Sequence, residues 1–97
     1  MSEEEHPSLI LSDTHAISIL LYIGEHDGCT RTDIYTNVVR SSNATRKIDR
    51  LVSAGLLDLN VEGLRGRLWL TDVGKGVVER IREIDELMKR SETETRG

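Results

Sequence analysis

Apolar residues recur along this chain with two different periods, and the change of period divides it into helices and strands. Ile17, Leu20, Leu21 and Ile23 supply one side of a first helix that Ser12 or Asp13 can cap and that runs through His26, where Asp27-Gly28 ends it. Thr30 followed three positions later by Asp33 has the form of a capping box with Asp in place of Glu. It opens a short second helix to about Val39, with Ile34 and Val38 as its core pair. Arg40 and Ser41 leave only a brief turn before the third helix, over about 43–54, so the two helices must cross steeply. In that third helix Ala44, Ile48, Leu51 and Val52 form one stripe of a 3.6-residue period, while Asn43, Arg46 and Arg50 project the other way. Ser42 or Asn43 can cap its first turn. Gly55 can take the left-handed conformation that ends it, with Leu56 folding back on Leu51.

After Gly55 the period drops to two. Leu57, Leu59 and Val61 alternate with Asp58, Asn60 and Glu62, as Leu68 and Leu70 alternate with Arg67, Trp69 and Thr71, and both runs read as strands. Between them Glu62-Gly63-Leu64-Arg65-Gly66 has the freedom of two glycines, enough for a hairpin tip carrying Arg65 with Arg67 at its base. Thr71-Asp72 then caps a last helix to about Arg90. In it Val73, Val77, Ile81, Ile84 and Met88 make a stripe that Val78 and Leu87 widen. At 1.5 Å per residue that helix is about 28 Å long, more than so small a domain needs to cover itself, so its far half is expected to meet another chain. The chain is therefore read as a mainly α domain over 9–90 with a small β-hairpin, between an N-terminus (1–8) and a tail (91–97) that are both expected to be disordered.

Ninety-seven residues make one domain, small enough that help from a partner subunit is plausible. No apolar run approaches the roughly 20 residues of a bilayer span, and Met1-Ser2-Glu3-Glu4-Glu5 is acidic where a signal peptide is basic. The expected location is the cytoplasm, without membrane contact. The lone Cys29 cannot form an internal disulfide and reads as a buried, inert thiol. The net charge of −4 is unevenly placed: from Cys29 to Arg67 the chain is net +3, which leaves −7 on its flanks. A basic centre between acidic ends is compatible with nucleic-acid binding, and the ends oppose indiscriminate attachment.

Two junctions carry a family resemblance. Leu51-Val52-Ser53-Ala54-Gly55-Leu56-Leu57 is similar to the L-x-x-x-G-L-(I/V/L) passage from recognition helix to wing in winged helix-turn-helix domains. Leu70-Thr71-Asp72-Val73-Gly74-Lys75 is similar to their L-T-x-x-G-(K/R) entry to the last helix. With Thr30 to Val39 as the supporting helix, the match covers roughly Asp13 to Met88 and looks most like small MarR-type regulators of archaea and bacteria. The resemblance implies a three-helix core, a two-stranded wing over about 57–71 and a long C-terminal helix. It further implies a homodimeric, sequence-specific binder of double-stranded DNA that regulates transcription, with the recognition helix in the major groove and the wing on the backbone or in the minor groove.

On that template Asn43, Arg46 and Arg50 are the base-reading candidates, since arginine can present two donors to guanine and asparagine can pair with adenine. Arg31, Arg40, Ser41, Ser42, Thr45 and Lys47 lie where phosphates would pass, and Arg65 and Arg67 are the wing contacts. Asp49 is expected to orient Arg46 or Arg50 through a helix-spaced ion pair. Val77, Ile81, Ile84, Leu87 and Met88 would form the dimer interface, with the Leu9 to Leu11 segment as a further candidate. The extra helices that form a ligand pocket and a large dimer interface in longer members are lacking, which argues against small-molecule sensing.

His15 and His26 stand three helical turns apart, about 16 Å, too far for one ion, and neither a CxxC nor an HxxxH pair occurs. No metal or cofactor is expected. Trp69 is expected to pack on a helix surface, and the scarcity of aromatic residues argues against single-stranded RNA. No phosphate loop, GxSxG or carboxylate pair beside a histidine is present, so enzymatic chemistry is not expected. The alternative to a DNA binder is a winged helix used as a protein-interaction module, contacting partners through its acidic ends and its long last helix.

Overall fold

Hydrogen bonds at the helix ends set most of the boundaries in the computed structural model, which describes residues 6–13, 15–40, 43–62 and 65–96; for positions 61, 62, 65 and 92–96 the backbone alone is described. A 3-10 helix, Pro7–Ser12, comes first, followed by α1 (Ala16–Glu25), β1 (Cys29–Thr30), α2 (Arg31–Asn37), α3 (Ala44–Ser53), β2 (Leu57–Glu62), β3 (Arg65–Leu70) and α4 (Asp72–Arg96).

The first turn of structure departs from expectation. Pro7 and Ser8 already belong to the 3-10 helix rather than to a frayed end. Neither Ser12 nor Asp13 caps α1. The Ser12 hydroxyl donates back to the Leu9 carbonyl (2.7 Å), the Asp13 carboxylate turns toward α3, and His15, at φ 77°, becomes the residue before the helix. The buried face of α1 is made by Ala16, Ile19, Leu20 and Ile23, with Leu21 half-buried, while Ile17 is left exposed.

The capping box forms as read, with the Asp33 amide donating to Thr30 Oγ1 (3.2 Å) and the Thr30 amide to Asp33 Oδ2 (2.9 Å). The helix it starts stops at Asn37, and the chain beyond it turns Val39 into the core, with Val38 half-buried. Gly55, at φ 84°, ends α3 in a Schellman arrangement: the Gly55 amide donates to the Val52 carbonyl (3.0 Å) and the Leu56 amide to the Leu51 carbonyl (3.1 Å). At the other end Asn43 occupies the N-cap position without a side-chain capping bond.

The hairpin pairs β2 and β3 from Leu57 opposite Leu70 to Glu62 opposite Arg65, so Leu57, Leu68 and Leu70 face the helices. An unexpected third strand joins it. β1, two residues long, pairs antiparallel with β3 through Cys29–Leu68 and Thr30–Arg67, giving the sheet order β1-β3-β2. It ties the α1–α2 connection to the hairpin, and there the ring of Trp69 lies against Gly28, whose φ of 80° and lack of a side chain admit it.

α4 continues to Arg96, past Ser91 where the composition predicts a tail. Glu92, Glu94 and Arg96, good helix formers, alternate there with Ser91, Thr93 and Thr95. The joint between α3 and α4 explains the Thr-x-x-Gly pattern. The Thr71 hydroxyl donates to the Gly55 carbonyl (2.6 Å) and accepts from the Gly74 amide (2.9 Å), while the Thr71 amide donates to the Leu56 carbonyl (3.1 Å). A Cβ at position 74 would fall on that same Leu56 carbonyl oxygen, so only glycine allows the approach.

Candidate functional site

The core stripe of α3 fixes what its other face can present. Ala44, Ile48 and Leu51 are buried, which turns Asn43, Thr45, Arg46, Asp49, Arg50 and Ser53 outward. Thr45, Arg46, Asp49, Arg50, Ser53 and Ala54 line an open groove along the helix. Around the first turns a second cavity of about 220 Å³ is lined by Asn43, Arg46, Lys47 and Arg50, with Asp13 as the one contribution from outside α3. The three base-reading candidates thus lie together on one face.

Asp13 changes the electrostatics of that face. Lys47 Nζ donates to its Oδ1 at 2.6 Å and Arg50 Nη1 to its Oδ2 at 3.0 Å, so one carboxylate holds two cations from successive turns. The Asp13 carboxyl lies below its ordinary range, chiefly through the hydrogen bond from Lys47 and with the Lys47 and Arg50 charges adding to it, against the opposing effect of burial. The Lys47 side chain is only 17% exposed, whereas that of Arg50 is 57% exposed. Lys47 is therefore largely covered by the fold, contrary to its expected place beside a phosphate. Arg46 is exposed and makes no ion pair among the described residues.

Asp49 pairs with neither Arg46 nor Arg50. Its carboxylate lies 3.6 Å from Arg31 Nη2 on α2, and with both side chains well exposed this contact contributes at most about 1 kcal/mol. Arg40 and Thr45 are exposed, and Ser41 and Ser42 lie outside the described residues. On the hairpin Arg67 Nη1 donates to the Gly28 carbonyl at 3.0 Å, anchoring that guanidinium to the α1–β1 turn; the Arg65 side chain lies outside the description. Asp13 and Gly28 are the participants that sequence reasoning missed. Each is more than 30 positions from its partner, and no local pattern marks either.

Among the dimer candidates, Ile81 is buried and Val77 half-buried within the same chain, while Ile84, Leu87 and Met88 are each more than half exposed. The inner part of the stripe belongs to this chain's own core. Ile81 is thus withdrawn from the expected interface. No helix is long and apolar enough to cross a membrane among the described residues, and they contain no cluster of three metal-ligating side chains.

No family model and no curated protein matches this sequence. Solved structures do match it. An archaeal protein, reported as a mechanosensitive channel and described as a structural homolog of MarR-like transcriptional regulators, superposes with a TM-score of 0.78 at 21% identity, over 95% of this chain and 83% of that one. MepR, a transcription regulator of the Staphylococcus aureus multidrug efflux pump MepA, gives 0.77 at 21% identity, over 91% and 70% of the two chains. This chain has the MarR-like winged-helix fold. A variant of MepR bound to an oligodeoxyribonucleotide matches with a TM-score of 0.72 at 21% identity, over 88% of this chain and 69% of that one. In that fold α2 and α3 make the helix-turn-helix pair and β2 with β3 the wing.

Proposed function

We propose that this protein is a cytoplasmic transcriptional regulator that binds a pseudo-palindromic site in double-stranded DNA as a homodimer. α3 enters the major groove, Asn43, Arg46 and Arg50 read base edges, and the wing, through Arg65 and Arg67, follows the backbone or enters the minor groove. The observation that carries this reading is the outward row of Asn43, Arg46 and Arg50 along one open face of a helix whose other face is packed into the core. The likeness to a MepR variant solved on an oligodeoxyribonucleotide supports it, as does the net +3 of the segment holding α2, α3 and the wing. Dimerisation is supported by the apolar far half of α4, where Ile84, Leu87 and Met88 lie exposed.

The test is capture of fragmented genomic DNA by the purified protein at moderate salt, followed by sequencing of what is retained. Enrichment of an inverted repeat is the expected result. Weak, uniform retention of all fragments would remove sequence-specific binding.

A further inference from the structure

An acidic side chain at the centre of a surface that must approach a polyanion needs a reason. Asp13 reaches α3 from 34 and 37 positions away and is itself 17% exposed, so its two ion pairs are built by the tertiary fold. The pairs divide the cations of α3 into two kinds. Arg46 is open to any anion. Lys47 and Arg50 already have an anion at 2.6 and 3.0 Å, so a phosphate gains little from either unless it displaces Asp13. Base edges compete on different terms. A carboxylate that takes one nitrogen of a guanidinium fixes the orientation of the whole planar fork, and over half of the Arg50 side chain stays exposed beside the cavity that Asn43 and Arg46 share.

We infer that Asp13 is a specificity-determining residue: its carboxylate withholds Lys47 and Arg50 from the phosphates of unselected DNA while positioning Arg50 toward base edges. This rests on the DNA reading above. It widens the gap between selected and random sequence by lowering binding to the latter, the term that counterion release otherwise supplies to every duplex alike.

The experiment measures binding of the full chain to its captured site and to a random duplex from 50 to 200 mM salt. Freeing two cations steepens the random-duplex salt dependence by about 1 to 2 in log–log slope and tightens binding about tenfold at the low-salt end. Asp13→Asn is therefore expected to bind random duplex more tightly and with a steeper slope, to gain nothing on the selected site, and to show a specificity ratio lowered about tenfold. Asp13→Glu, which keeps the charge, is expected to stay near wild type. An unchanged ratio and slope in a folded Asp13→Asn protein would overturn the role of Asp13 while leaving DNA binding intact.

A second comparison does not depend on the folding of that variant. Arg46→Gln is expected to flatten the random-duplex slope by about 0.9 and Lys47→Gln by much less. Equal flattening by the two also overturns the inference. Wild-type protein that retains no duplex at 50 mM salt overturns the DNA reading and this role together.

Discussion

α3 and α4 are both amphipathic, yet they use their apolar sides differently. α3 has every stripe residue at least partly covered within its own chain and presents only polar groups outward. Over its first three turns α4 meets the core through Gly74, Val78 and Ile81, although Val73 at its start is exposed; beyond them it carries Ile84, Leu87 and Met88 into solvent. A helix that is satisfied on one side is held in place and can display a fixed row of donors. A helix that is satisfied along half its length has surface left to cover, and in water that surface favours association.

The contrast is broken most severely from the α3 side. Ile48→Ala removes a fully buried side chain where α3 meets the core, and it is expected to cost about 2–5 kcal/mol in urea denaturation. Should the loss stay under about 1 kcal/mol, α3 would not be anchored as described. Gly74→Ala, which drives a methyl group into the Leu56 carbonyl, is expected to cost about 1–3 kcal/mol by the same measurement; a neutral result would mean that the α3–α4 joint yields easily. Arg46→Ala should leave stability unchanged and weaken binding to the selected site by about 1–3 kcal/mol, whereas Arg65→Ala is expected to weaken all duplexes alike and flatten the salt slope by about one. Equal losses on selected and random DNA for both variants would deny Arg46 a part in base reading. The far half of α4 carries little of the stability. Ile84→Ala with Leu87→Ala is expected to change unfolding of the dilute chain by no more than about 0.5 kcal/mol, yet to shift sedimentation at high protein concentration from dimer to monomer.

The thiol gives a further handle on the sheet. Burial, with the Asp33 charge adding to it, pushes Cys29 up to about 11, so at pH 8 its reactive thiolate is scarce. Native protein should react with a disulfide reagent much more slowly than the urea-unfolded chain. Equal rates would place Cys29 outside the β1–β3 pairing.

What the sequence disclosed follows the range of the interactions involved. The capping box at Thr30, the Gly55 terminator and the alternation in the hairpin each depend on residues within a few positions, and each formed where it was read. β1 was invisible because two residues carry no periodicity and pair with residues 39 and 37 positions later. The start of α1 was misplaced because the groups that would have capped it found other partners, one of them across the molecule. The site divides in the same way. The shared face of Asn43, Arg46 and Arg50 follows from helical period alone, but the anion between Lys47 and Arg50 does not, since nothing near Asp13 in the chain points to α3.

The strand order β1-β3-β2 also bears on solubility. β3 is the central strand, paired along its whole length with β2 and at Arg67 and Leu68 with β1, so only part of one side of its ladder is left open. Of the outer strands, β1 is only two residues long, and β2 alternates its leucines with exposed Asp58 and Asn60. Short or charged margins of this kind resist the strand-to-strand growth that turns sheets into aggregates. In the proposed homodimer, association is steered away from the sheet and onto the exposed far half of α4, where a two-fold contact between copies would end in a closed pair instead of an extending fibre.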